Sequence, residues 1–266
     1  MTRTIPSWLA AVLEQLELER PSVVTTHDIG RIRSDQGVKP PANRIIEELA
    51  KRGWLLKTGA HGAWEFVPAE RAGPHSAGDP LLPVRGILAT HPELPLAVAL
   101  STAIWMLDLG DRPPNQPEVA VPPGHYLPTG LRRTCRVVRH EARLAPARIT
   151  GLPVHSAPTI LVHLAVRPTD VRSWGAVLES LPSLLDASEE ADIEHELEGR
   201  THAAHVRFAY LVSAVAPELV ERLGVRPGGK VWFGPRRKLR RHDARWNVAD
   251  TVLPISPADI GHGRRK

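Results

Sequence analysis

Apolar residues at Trp8, Leu9, Val12, Leu13 and Leu16 recur at helical spacing, and they predict a first helix over Ser7–Glu19. Ser7 suits its N-cap and Pro21 stops it. Val23, Val24 and Thr25 predict a short extended segment. Thr26 or Asp28 then caps a short second helix, with Ile29 and Ile32 inward, Arg31 and Arg33 outward, and Gly37 at its end. Pro40 and Pro41 open a third helix, whose buried stripe is Ala42, Ile45, Ile46 and Leu49. Gly53 terminates it. Trp54–Lys57 and Ala63–Val67 predict two strands, joined by the glycine-rich turn Thr58–Gly62. Helix, helix, turn, helix, hairpin is the order of a winged helix-turn-helix.

From Arg71 to Pro83 the pattern turns polar and rich in proline and glycine, so a linker is expected at residues 71–80. Beyond it the periods mix. Leu96–Leu109 is almost wholly apolar and predicts a helix central to a core. Glu118–Val121, Cys135–His140 and Leu152–His155 predict strands. Pro158–Val166, Trp174–Leu185, Glu189–Gly199, Ala203–Val215 and Pro217–Leu223 predict helices. Val231–Phe233 and Arg245–Val248 predict two late strands. No internal repeat or low-complexity tract is present. The expected architecture is α+β: a winged helix-turn-helix over residues 1–70 and a larger mixed domain over 81–266.

Composition changes this picture in three ways. No run of about 18 or more apolar residues exists, so no membrane span is expected. Glu14, Glu17 and Glu19 stand where a signal peptide would be apolar, which points to the cytoplasm. Cys135 is the only cysteine, and a lone thiol fits a reducing compartment. The net charge of +5 is unevenly spread: residues 1–70 are neutral, 71–180 carry +3, 181–222 carry −6 and 223–266 carry +8. The basic tail either folds against the acidic block Glu189–Glu198 or faces an anion.

In a winged helix the third helix enters the major groove. Its exposed residues here are Asn43, Arg44 and Glu47, with Lys39 ahead and Lys51 behind. Arginine hydrogen-bonds guanine in two places, and asparagine does the same to adenine. Lys57 and His61 on the wing are placed to meet the backbone or the minor groove, and Arg31 and Arg33 to hold phosphates. The competing reading is a winged helix used only for protein contacts. Arg236, Arg237, Lys238, Arg240 and Arg241 form the densest basic run, able to neutralise several phosphates or to stand as a solvated loop. Arg132, Arg133, Arg136 and Arg139 are a second cluster, but strand parity divides them between two faces. His195, His202 and His205 lack the spacing that sets two metal ligands on one helical face, so no metal is expected. Cys135 has no activating base near it in sequence and reads as a buried structural residue. No nucleophile elbow, P-loop or dinucleotide fingerprint appears, and neither enzymatic activity nor a cofactor is expected.

Gly53–Leu56 through Trp64–Pro68, the Asp79–Pro80 pair, Leu96–Ala103, Gly151–Thr159, and Lys230–Arg236 with Arg245–Val248 follow one another in a set order and spacing. Together these segments resemble the AbiEi-type antitoxins. The resemblance covers nearly the whole chain. It implies a repressor of its own toxin–antitoxin operon that binds inverted repeats in operator DNA through the winged helix. It also implies a C-terminal domain that opposes a cognate nucleotidyltransferase-type toxin without a stable complex. The alternative is a ligand-responsive winged-helix transcription factor with no toxin partner. A further rival, a nuclease in the C-terminal domain, needs carboxylates or histidines converging in a cleft.

Overall fold

The computed structural model describes residues 5–71 and 78–260. In chain order its elements are α1 (Ser7–Glu19), β1 (Val23–Thr25), α2 (Thr26–Asp35), α3 (Ala42–Lys51), β2 (Leu55–Lys57), β3 (Ala63–Phe66), α4 (Leu82–Thr90), β4 (Ala97–Val98), α5 (Leu100–Met106), β5 (Glu118–Val121), α6 (Leu131–Thr134) and β6 (Arg136–Arg139). Then come β7 (Ala147–Ile149), β8 (Leu152–Val154), α7 (Ala157–Val166), α8 (Trp174–Asp186), α9 (Glu190–Leu197), α10 (His202–Val212), α11 (Pro217–Arg222), β9 (Val231–Phe233), β10 (Arg241–Asp243) and β11 (Val248–Asp250). The class is α+β.

The chain divides into two compact units. The first comprises residues 1–95, 115–117 and 125–137. Its core joins Leu9, Val12, Leu13 and Leu16 of α1 to Ile29 and Ile32 of α2 and to Ile45, Ile46 and Leu49 of α3. Trp54 and Phe66 stack beneath them with ring centroids 6.4 Å apart. The antiparallel sheet runs β1-β3-β2, with Leu55 opposite Phe66 and Val24 opposite Trp64. This order and pairing are compatible with a winged helix-turn-helix. The cap of α2 is Thr25, not Thr26 or Asp28. Its hydroxyl accepts from the Asp28 amide while the Asp28 carboxylate accepts from the Thr25 amide, a reciprocal capping box. Pro6 and Pro41 occupy the N-cap positions of α1 and α3, so Ser7 and Ala42 are the first helical residues.

The expected boundary at 71–80 is displaced. Residues 72–77 lie outside the described ones, but α4 beyond them packs on β1 and β3 and belongs to the first unit. Gly86 of α4 lies so close to the hairpin that a Cβ there would stand 2.7 Å from Thr58 Oγ1. A proline- and glycine-rich stretch need not separate domains: β3 before it and α4 after it belong to one unit.

The second unit comprises residues 96–114, 118–124 and 138–266. Its five-stranded sheet has the order β6-β5-β4-β8-β7, and a separate three-stranded sheet has the order β10-β11-β9. Around α7, whose residues 157–165 are all buried, pack α5, α8, α9 and α10. The predicted helix over Leu96–Leu109 is shorter than expected. Ala97 and Val98 pair in β4, and Leu100 turns the chain with φ +49° into α5. A buried strand followed by a buried helix is apolar on every side, so periodicity cannot separate the two. The late strand is Val248–Asp250 rather than Arg245–Val248, because residues 244–247 form the turn that brings β11 back along β10. Among the described residues, no helix is long and apolar enough to cross a membrane.

Candidate nucleic-acid interface

The apolar stripe of α3 fixes its outer face. Ile45 and Leu49 are fully buried, which turns Asn43, Arg44, Glu47 and Lys51 to solvent. Lys39 precedes the helix and is also exposed. Among the described residues the side chains of Arg44, Lys39 and Lys51 have no hydrogen bond or ion pair. Glu48, on the flank, is occupied by Arg52 at 2.7 Å. The outer face thus offers an amide and a guanidinium in its first turn, the arrangement that reads base edges.

Arg31 and Arg33 have work inside the fold. Arg33 donates through Nε to the Pro40 carbonyl at 2.7 Å and through Nη2 to the Lys39 carbonyl at 3.3 Å, which holds the connection between α2 and α3. Arg31 pairs with Glu19 at 3.4 Å and Asp35 at 3.7 Å. Both were expected to hold phosphates; the structure assigns Arg33 to positioning α3 and gives Arg31 two carboxylate partners.

On the hairpin, Lys57 and His61 are exposed, while Thr58 and Ala60 between them are buried. Thr58 Oγ1 donates to the Ala63 carbonyl at 3.0 Å and accepts from the Ala60 amide at 3.1 Å, which fixes the turn. Two segments cover it. Gly86 of α4 lies against Thr58, and Thr134 of α6 lies against Gly59, where φ is +89° and a Cβ would stand 2.6 Å from Thr134 Cγ2.

In the second unit the basic run proves to be an anchored loop. Thr251 Oγ1 donates to the carbonyls of Phe233 and Pro235 at 3.3 and 3.0 Å. Gly234, at φ +104°, passes so close that a Cβ would stand 2.5 Å from that hydroxyl oxygen. At the other end Arg241 pairs with the fully buried Asp250 at 3.2 Å and donates to the Leu253 carbonyl at 3.1 Å. Asp250 also accepts from Tyr210 Oη and from the amides of Val252 and Leu253. Arg240 reaches the Leu253 carbonyl at 3.4 Å. Arg236, Arg237 and Lys238 are exposed with no partner among the described residues. Arg241 is therefore part of the anchor, not of the free cationic tip. Nor does the run pair with the acidic block: Glu190 binds Arg222 at 2.7 Å, Glu196 binds Arg200 at 3.4 Å, and Glu198 faces His195 at 3.4 Å.

The histidines that cluster in the sequence, His195, His202 and His205, are not the buried ones. His195 and His202 are exposed and His205 is partly so, with Nδ1 donating to the Thr201 carbonyl. The buried ones are His140, His155 and His163, which form a cluster beside α7. His140 and His163 stack at 4.0 Å with 5° between their planes, and His155 meets His140 edge-on at 5.8 Å. His163 Nε2 bonds Asp170 at 3.1 Å. His140 Nε2, His155 Nδ1 and His163 Nδ1 have no hydrogen-bond partner. Burial pushes all three pKa values down, His155 to about 3, so the rings are neutral. Their one sequence signal was His163 standing alone in an otherwise apolar helix. Among the described residues no group of three or more His, Cys, Asp or Glu is arranged to hold a metal ion. Cys135 is buried, which pushes its thiol up to about 11.

Glu196, also fully buried, accepts from the amides of Arg143 and Leu144 and from Thr159 Oγ1 at 2.7 Å. With Arg200 on its other oxygen it ties α9 to α7 and to the loop before β7, and its hydrogen bonds mark it as structural.

The chain is α+β, and the element order of its first unit is compatible with a winged helix-turn-helix. Residues 96–214 match the family model of the AbiEi antitoxin C-terminal domain. The RV2827C protein from Mycobacterium tuberculosis, known from a crystal structure, is 27% identical and superposes with a TM-score of 0.81, over 99% of this chain and 97% of that one. No curated protein matches the chain. The family match ends before β9–β11, so it does not include the basic loop.

Proposed function

We propose that this antitoxin represses its own toxin–antitoxin operon by binding operator DNA through the first unit, and that it opposes a nucleotidyltransferase-type toxin without catalysing a reaction. The observation that supports this most directly is the outer face of α3, where Asn43, Arg44 and Lys51 stand exposed over a fully buried stripe. In this reading Asn43 and Arg44 contact base edges, while Lys39, Lys51, Lys57 and His61 contact phosphates. Arg33 sets the position of α3, and Arg31 is shared between its carboxylates and the backbone. Arg236, Arg237, Lys238 and Arg240 supply a sequence-independent cationic contact to phosphate from the second unit, with Arg241 holding their loop in place. The assignment of toxin opposition to the second unit is supported by the family match over residues 96–214.

Two measurements test the reading. A gel shift with the DNA upstream of the gene should show a complex that survives excess random duplex. Coexpression with the neighbouring gene should restore growth in cells that its product arrests. A chain that rescues growth but never binds the upstream DNA is an antitoxin without the repressor role. A chain that binds but has no toxic neighbour is the ligand-responsive transcription factor.

A further inference from the structure

The first unit is completed by a segment from far along the chain. Residues 1–95 hold eleven cationic and eleven acidic side chains, so on their own they are neutral. Residues 125–137, part of the same unit, add Arg132, Arg133 and Arg136 and no carboxylate, which makes the unit net positive. This segment lies against the tip of the hairpin. Thr134 touches Gly59, and a Cβ on Gly130 would stand 3.4 Å from the Gly59 carbonyl oxygen. Leu131 is fully buried and orients α6, leaving Arg132 and Arg133 exposed with no partner among the described residues. Successive Cα atoms are about 3.8 Å apart, so both arginines start within about 8 Å of Thr134 and thus beside the wing tip. Tyr126, earlier in the segment, is 74% exposed, with its hydroxyl free of the core.

We propose that residues 125–134 extend the DNA-contacting surface of the first unit, with Arg132 and Arg133 binding the phosphates next to those met by Lys57 and His61. The proposal rests on the DNA reading given above. It explains how a neutral N-terminal sequence attracts a polyanion: the charge comes from a distant part of the chain and is folded onto the wing. Guanidinium groups on a rigid turn bind phosphate without reading sequence, so this element sets affinity while α3 sets preference.

The test uses the full chain and two labelled duplexes, the upstream DNA and a scrambled one of equal length, titrated at several salt concentrations. The variants are R132Q/R133Q, R132K/R133K and Arg44→Ala. R132Q/R133Q should bind both duplexes more weakly by about tenfold or more at moderate salt, and its salt slope should fall by about two. R132K/R133K should recover most of both, because lysine supplies the charge. Arg44→Ala should instead narrow the gap between the two duplexes. If R132Q/R133Q keeps the wild-type slope while Arg44→Ala loses its preference, the inference is wrong and the DNA reading stands. If the wild type binds neither duplex at low salt, both are wrong. Unchanged DNA binding with lost toxin rescue assigns the segment to a protein partner and overturns the proposal. Because both arginines are exposed, their melting temperature should match the wild type, and a lysine variant that folds but fails to rescue binding also counts against it.

Discussion

Lowering the pH from 7 to 5 should destabilise the second unit steeply, and the buried histidines give the size of the effect. A histidine in the unfolded chain takes a proton near pH 6.5. In the folded unit His140, His155 and His163 are held neutral by burial; His140 and His155 are also opposed by the neighbouring rings, and Arg167 and Arg200 add to the effect on His140. His163 is partly compensated by Asp170 and Glu118, yet its shift remains downward. A folded pKa below the unfolded one means that the unfolded state binds more protons as pH falls through 6.5. Stability is therefore lost on the acid side, down to the folded pKa, which for His155 is about 3. At pH 5 each neutral histidine costs about 2 kcal/mol relative to the unfolded chain, from 1.36 kcal/mol per pH unit. His140 and His155 together cost about 4 kcal/mol, and the downward shift of His163 adds to the loss in the same direction. The assay is denaturant unfolding at half-unit pH steps between 7 and 5, followed by the near-ultraviolet signal of the buried Trp174 and Trp246. His140→Phe keeps a flat ring against His163 and removes one titrating group. Its loss between pH 7 and 5 should be smaller than the wild type's by about 2 kcal/mol. Equal stability at pH 7 and 5, or a His140→Phe variant with the wild-type pH dependence, would falsify the assignment of three neutral rings.

Other outcomes follow from the same geometry. Arg44→Ala should weaken operator binding by about 1–3 kcal/mol and relax preference at one base position, read by competition against single-base operator variants. Changing Arg236, Arg237, Lys238 and Arg240 to glutamine should lower the salt slope of DNA binding and leave operator preference intact; an unchanged slope removes that loop from the interface. Arg241→Gln should behave differently and lower the melting temperature, because it leaves the buried Asp250 without its cation, a loss of about 3 kcal/mol or more. A fragment of residues 1–75 should be markedly less stable than one of residues 1–95, since only the longer one carries α4 over β1 and β3. Equal melting temperatures would return the domain boundary to the polar stretch.

What the sequence revealed depended on whether burial had a period. The helices of the first unit were legible because Ile45, Ile46 and Leu49 leave a polar face between them. The same stripe made Asn43, Arg44 and Lys51 readable as the outward set. Segment 96–109 was misread because burial on both sides erases the period: Ala97, Val98, Leu100 and Ala103 are buried in strand and helix alike. The role of Arg33 was invisible for another reason. A guanidinium that holds two backbone carbonyls looks in sequence like one that waits for phosphate, and only the position of Pro40 decides. Likewise the acidic block and the basic run are neighbours along the chain but do not pair with each other: Glu190 and Glu196 bind Arg222 and Arg200, while Arg241 of the run binds Asp250.

Charge counted along the chain misjudged the first unit for a related reason. A linear window treats residues 1–70 as a neutral module and 125–137 as part of a separate domain. The fold assigns Arg132 and Arg133 to the unit that holds α3, through the close approach of Thr134 to Gly59. That contact requires glycine at position 59, for both its positive φ and its missing Cβ. Gly59→Ala would thus strain the hairpin and push α6 away, moving two cations from the wing tip without altering any of the side chains proposed to meet DNA. The composite unit also explains why no short N-terminal window carries a basic signature: the neutral sequence of residues 1–95 and the cations Arg132 and Arg133 come from separate stretches and meet only when α6 packs on the turn.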